Sequence, residues 1–269
     1  MPNDKTLNIK IQAQADQAEQ QIKNLTKDVK ELQKSTENLS KTEKGIKALN
    51  DGFKKLGNTM KGLIAGLATG QTIAEVLELT KVGADAQEAE ESFKKMVESM
   101  GADAEREFNK IKEASRGLIS DTEIRKSASN ALSLGVPLQK ISDLMELAIA
   151  KSREFGTTAG EEFKKLTTTV SSLSPSMAES LGITVDLDKA YQDYAKSIGI
   201  SVDELTKQQK EIAFTNELLD ESAVSLDTFG SAELTANENI QQFQTSLANL
   251  KESIGRKLLP YMIALTKET

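Results

Sequence analysis

Asp186 and Asp188 flank Leu187, and two carboxylates at that spacing could ligate a hard cation. No EF-hand loop follows them. An aspartate just ahead of an apolar helical pattern serves equally as an N-cap, and that is the preferred expectation here. Tyr191 and Tyr194 stand one helical turn apart. They could grip a ligand, but packing with wet hydroxyls is the simpler use of such a pair. Two carboxylates in one pocket would suffice for glycosidase-type chemistry. The chain has 41 Asp and Glu, yet nothing in their spacing picks out a pair, and most fall on polar helix faces, where charge is simply solvated.

Other chemistry is removed by composition. With no Cys and no His, thiolate nucleophiles, disulfides, thiolate metal sites and the commonest general base near neutral pH are all missing. No Walker-type glycine loop and no dinucleotide fingerprint after a strand are present. The expectation is therefore a non-enzyme with no catalytic, cofactor-binding or metal residues.

The elements that would position any site read as helices. Ala86, Ala89, Phe93, Met96 and Met100 line one face, and Gly101 ends it. Phe108 and Ile111 mark a second helix, which stops at Gly117. Ser120 and Glu123 have capping-box spacing, in which each side chain satisfies a free backbone N–H of the first turn. Ile124, Ala128, Ala131 and Leu132 follow, and Gly135 suits a left-handed stop. Pro137 fits the first turn of the next helix, whose face holds Ile141, Leu144, Met145 and Ala148 before Gly156. Thr158 and Glu161 form a second box ahead of Phe163, Leu166, Val170 and Leu173. Ser174-Pro175 opens a brief helix ending at Leu181-Gly182, and Leu187, Ala190, Tyr191, Tyr194 and Ile198 form another that ends at Gly199. Ser201 and Glu204 make a third box before Leu205, Ile212 and Leu219. Caps, faces and stops agree, which is the mark of a folded helical domain.

Long helices flank this series. Leu25, Leu32, Leu39, Ile46, Phe53, Met60 and Leu67 recur every seven residues. Ile22 and Val29 form a companion row before them, and Leu49, Leu56 and Leu63 one after them. Residues three, four and seven apart share a helix face, so residues 22 to 67 predict a rod of roughly 70 Å with one apolar seam. A single helix cannot hide that seam from water, and these twelve residues are the expected self-association surface. Thr36, Glu43 and Asn50 interrupt it, and the change of companion row near residue 43 resembles a stutter. Before the rod, Leu7, Ile9, Ile11 and Ala13 alternate like a short strand. After it, Gly62, Gly66 and Gly70 recur every four residues, as in close helix packing. A segment that later enters a membrane and a flexible hinge are the alternatives, the latter because each helical Gly costs about 1 kcal/mol relative to Ala; packing or a hinge is preferred to membrane insertion. Near the other end, Ile240, Phe243, Leu247, Leu250, Ile254, Leu258, Tyr261 and Leu265 keep a three-and-four rhythm. Pro260 should kink that stretch or begin a new segment.

The expected fold is all-α. Residues 1–15 form an extended segment, and 16–82 a coiled-coil-like helix with a glycine-rich hinge. Residues 83–230 form a domain of short Gly-terminated helices, and 231–269 a long helix continuing into a larger protein. The net charge of −7 speaks against a nucleic-acid phosphate binder. The window from Met60 to Leu79 is broken by Lys61, Gln71, Glu75 and Glu78, short of the ~20 apolar residues that span a bilayer. No secretory signal is visible at Met1–Lys5.

The series from about Glu90 to Glu268 resembles phage tail tape measure proteins in the region following their N-terminal coiled coil. The stretches that carry the likeness run Gly117 to Gly156, Glu161 to Ile183, Tyr191 to Glu221 and Leu247 to Glu268, the last with an Ile254-Gly255, Pro260, Leu265 ending. The resemblance covers about two thirds of the chain. It rests on the order of the motifs more than on any one of them. It implies a structural protein of the virion tail lumen, made in the host cytoplasm, that sets tail length and leaves with the DNA. It also implies several copies side by side, as a trimer or hexamer. Implied partners are tail tube and tail-tip proteins and tail assembly chaperones, with no specific nucleic acid, no cofactor, and membrane contact only at ejection. Family members are usually far longer, so the expectation is the N-terminal part of a larger protein. The rival expectation is a bacterial coiled-coil adaptor or secretion-associated helical protein. A two-carboxylate enzyme would need a pocket with two convergent Asp or Glu side chains.

Overall fold

The structure, a computed structural model, describes the chain from residue 73 to residue 267. Between residues 77 and 257 it is 80% helical and contains no strand, in keeping with the all-α expectation. The heptad seam, the Gly62–Gly70 repeat and the Leu7–Ala13 alternation lie outside the described residues.

Nine α-helices longer than one turn are described: α1 Ile73–Ser99, α2 Ala104–Ala114, α3 Asp121–Ser133, α4 Ile141–Phe155, α5 Ala159–Ser172, α6 Pro175–Ser180, α7 Leu187–Ile198, α8 Lys207–Glu221 and α9 Ala236–Lys267. A single helical turn, Ala223–Ser225, and a π-helical turn, Leu226–Gly230, lie between α8 and α9. Asp85–Glu233 form one compact unit, here called the body. Residues 73–84 and 234–267 belong to a second unit.

Local chemistry sets the helix ends. All six glycines read as stops (Gly101, Gly117, Gly135, Gly156, Gly182 and Gly199) have φ between 69° and 96°, a region an L side chain enters only at a cost. The Thr158/Glu161 box is complete, with reciprocal bonds of 3.3 and 3.2 Å. The Ser120/Glu123 box is half made. Ser120 Oγ accepts from the Glu123 N–H, while the Glu123 carboxylate lies near Gly160 of α5. The Ser201/Glu204 box closes a 3-10 turn, Val202–Glu204, and does not open a long helix. The long helix α8 starts after a second box, in which the Thr206 N–H donates to Gln209 Oε1 at 2.9 Å and Thr206 Oγ1 accepts from the Gln209 N–H at 3.3 Å. Pro137 likewise precedes a 3-10 turn, Leu138–Lys140, before α4 begins.

The body is organised around α4, which packs against α2, α5, α8 and the π-helical turn. Neighbours on several sides explain why α4 buries Leu147, Ile149 and Ala150 in addition to the expected Ile141, Leu144, Met145 and Ala148. On α1 the expected face shifts. Ala86, Ala89, Phe93 and Val97 are buried, whereas Met100 is half exposed. On α7, Ala190 and Ala195 are buried and Ile198 is exposed.

In the second unit, α9 is one 32-residue helix that runs through Pro260, so no new segment begins at the proline. The proline lacks the N–H for one i→i−4 bond, and the rest of the ladder continues. Its start is capped by a box that sequence reading missed: the Thr235 N–H donates to Glu238 Oε2 at 2.7 Å and the Glu238 N–H to Thr235 Oγ1 at 3.2 Å. Here α1 and α9 meet backbone to backbone. A Cβ built on Gly255 would stand 2.6 Å from the Gly83 nitrogen and 2.8 Å from its Cα, and one on Gly83 would overlap the Gly255 carbonyl carbon. Only glycine at both positions permits that approach.

Candidate functional site

A cleft of about 700 Å³ opens in the body. The end of α1, the start of α2, the Gly135–Gln139 loop and the first turn of α8 form its walls. Its floor is apolar, with Leu132, Val136, Pro137 and Leu138, and Met100 stands at its edge. Around that floor are two sunken carboxylates and three cations. Glu107 is buried and takes hydrogen bonds from Arg106 Nε at 3.0 Å and Lys110 Nζ at 3.1 Å. Glu211 is buried and pairs with Lys207 Nζ at 3.3 Å. That approach is within ion-pair range, but it is poorly aligned, so Glu211 Oε1 makes no hydrogen bond. Gly135 explains why the Glu211 carboxylate can lie so close to the loop. With φ at +96° it turns the chain sharply, and a Cβ there would sit 3.0 Å from Glu211 Oε1.

This cleft meets half of the requirement set for a two-carboxylate enzyme, because Glu107 and Glu211 share it. Each, however, is engaged by lysine from its own helix. Glu107 is hydrogen-bonded within its pair, whereas Glu211 Oε1 has only the ion pair. The cleft thus combines an apolar floor with exposed cations at its rim.

Two further polar clusters fix the body. Lys151 is almost fully buried on α4. Its Nζ donates to Glu154 Oε2 at 3.0 Å and to Ser225 Oγ at 3.1 Å, and Ser225 Oγ also lies 2.9 Å from Glu154 Oε2. Burial raises the Glu154 pKa, but hydrogen bonds from Lys151 and Ser225 and the Lys151 charge outweigh it and leave the carboxyl below its ordinary value. Arg116 Nη1 donates to the Gly230 carbonyl at 2.6 Å, and Arg153 Nη1 to the carbonyls of Phe229 and Ala232. Together these bonds tie the 223–232 segment to the body. Near the N-terminus of α2, Arg125 stacks on Phe108 with its guanidinium carbon 3.6 Å from the ring centroid, and pairs with Glu90 at 3.6 Å. Sequence reading missed all of these. A lysine on the Leu144–Ala148 stripe of α4 was the one available signal for Lys151.

The residues proposed from sequence fall as follows. Asp186 is an N-cap, its Oδ1 accepting from the Lys189 N–H at 3.1 Å. Asp188 sits in the first turn of α7. No group of three or more potential metal ligands occurs among the described residues. Tyr191 and Tyr194 are half-buried on α7, with the Lys210 ammonium 5.7 Å from the Tyr191 ring centroid. Burial raises the Tyr191 pKa. Among the described residues no helix is long and apolar enough to cross a membrane. The twelve seam residues from Ile22 to Leu67 and the three glycines from Gly62 to Gly70 lie outside the described residues.

No family model matches the chain, and no solved structure matches its fold.

Proposed function

We propose that this chain is a structural protein of the phage tail tape measure type, lying in the lumen of a tail tube and setting tail length during assembly. The order of elements supports the reading. A body of short, capped, Gly-terminated helices is followed by a 32-residue helix, and it is preceded in sequence by a heptad seam that needs partners. In this reading the seam residues Leu25 to Leu67 bundle copies into a trimer or hexamer. The body packs against tail components, and no residue performs catalysis.

The test is the molar mass of the full chain by light scattering across a dilution series at high salt. A discrete trimer or hexamer is expected. Leu32→Asp with Ile46→Asp should abolish it while far-UV circular dichroism of the body is unchanged. A monomer that persists at high concentration would instead favour the coiled-coil adaptor. In the virion, deleting whole heptads from residues 22–67 should shorten tails by about 1.5 Å per residue removed.

A further inference from the structure

Between Asp85 and Glu233 the body carries 28 Asp and Glu against 17 Lys and Arg. Against that acidic background, the cleft over Leu132 and Val136 is unusual. Arg106, Lys110 and Lys207 at its rim are each more than half exposed. The carboxylates they pair with, Glu107 and Glu211, are buried beneath them. The charge presented outward is therefore positive, and it surrounds an apolar floor whose edge residue, Met100, is 50% exposed. Such a surface selects an acidic partner that also offers an apolar side chain.

That complementary chemistry exists on the same chain, at the other end of α8. The 15 residues of this helix span about 22 Å. Lys207, Gln208 and Glu211 in its first turns line the cleft. Its last turn runs into Asp220, Glu221, Ala223 and Val224. Val224 is 78% exposed, more than any other large apolar side chain described, and Asp220, Glu221 and Asp227 around it are exposed too. Water-facing valine ringed by carboxylates is the match for an apolar floor ringed by ammonium and guanidinium groups. The turn is held in place beforehand by the Lys151–Glu154–Ser225 bonds, and the residues that follow it are fixed by Arg116 on the Gly230 carbonyl and Arg153 on those of Phe229 and Ala232. Preorganisation of this kind lowers the entropic cost of docking. A rigid helix separates knob from cleft, so a copy cannot fill its own cleft.

We propose that the cleft of one copy receives the Asp220–Asp227 turn of a second copy, joining bodies head to tail. The contact is heterologous, so repetition gives a ring or an open chain of bodies. It stands on the body alone and is separate from the seam.

The test uses the full chain carrying Leu32→Asp and Ile46→Asp, which removes the seam, in sedimentation velocity at low and high salt. Association that grows with concentration and weakens with salt is expected. Met100→Glu in the cleft and Val224→Lys in the knob should each weaken association at least tenfold. Both sites are exposed, so amide protection of α8 should be unchanged. The decisive arm mixes the two variants. Met100→Glu keeps its knob and Val224→Lys keeps its cleft, so an equimolar mixture should form a 1:1 dimer and grow no further. The proposal is overturned if the seam-free parent stays monomeric at low salt, if either variant associates like the parent, or if the mixture stays monomeric. Loss of the discrete trimer or hexamer at high salt tests the seam, and the mixing arm tests the body, so each can fail without the other.

Discussion

Gly255→Ala pits two effects of known size against each other. In an uncongested helix interior, replacing Gly by Ala stabilises by about 1 kcal/mol, because glycine loses more backbone freedom on folding. At Gly255 the new methyl would overlap the Leu79 carbonyl oxygen and lie 2.6 Å from the Gly83 nitrogen and 2.8 Å from its Cα, whereas carbon contacts are optimal near 3.5–4.0 Å, so α1 and α9 must separate by more than about 1 Å. The obstacle is backbone on a second helix and cannot turn aside as a side chain would. Overpacking of this kind costs about 1–3 kcal/mol, occasionally more. Separation also loosens the packing of Leu79, Phe243 and Ile254, all buried in this unit. The clash wins, and the net expectation is a loss of about 1–2 kcal/mol. Gly83→Ala should act in the same direction. The double substitution should cost less than the sum, since the first methyl has already moved the helices apart. Gly160→Ala is the control: its Cβ would meet only the flexible end of Glu123, at 3.1 Å. The assay is native-state hydrogen exchange read on peptides covering 77–84 and 243–257, with urea unfolding of the whole chain alongside. Faster exchange in both peptides, with the body unaffected, is the expected result. If Gly255→Ala slows exchange there and raises stability by about 1 kcal/mol, the close crossing is not what glycine serves at this position.

Three other outcomes follow from the body. Leu144 is fully buried in the first turn of α4, and Leu144→Ala should lower stability by about 2–5 kcal/mol in urea unfolding, the range for cavities in packed cores. Thr206→Ala removes both the side-chain bond to the Gln209 N–H and the box, and should cost about 1 kcal/mol, with extra amide exchange confined to the first turn of α8. Glu154 and Glu146 should act oppositely on the pH dependence of thermal stability. The Glu154 carboxyl is held below its ordinary 4.5, so its contribution is present above the unfolded pKa and lost as pH falls through the folded one; Glu154→Gln should flatten that acid limb. Burial first, then the Asp143 and Glu113 charges, raise the Glu146 pKa. Its contribution is therefore present at low pH and lost as pH rises through the folded pKa, and Glu146→Gln should raise Tm near neutrality.

The sequence by itself determined the helical character of the described chain and most of its punctuation. These are local matters. A stop needs one residue that tolerates positive φ, and a cap needs an oxygen three residues from an unsatisfied N–H, so Gly156, Gly199, Thr158 and Asp186 could be read directly from spacing. Two local signals did not act as read. The Glu123 side chain does not close its capping box, and Pro260 does not end α9. Which residues of each apolar stripe are covered was decided only by tertiary structure. Periodicity names a face but not how many elements surround it, so α4 is buried on several sides while Met100 and Ile198 face water. The Gly83–Gly255 crossing, the cleft assembled from residues 100 to 211, and the burial of Lys151 beside Ser225 join positions between 74 and 172 residues apart. Such pairings depend on how whole helices stack, and the backbone spacing that a sequence displays carries no trace of them.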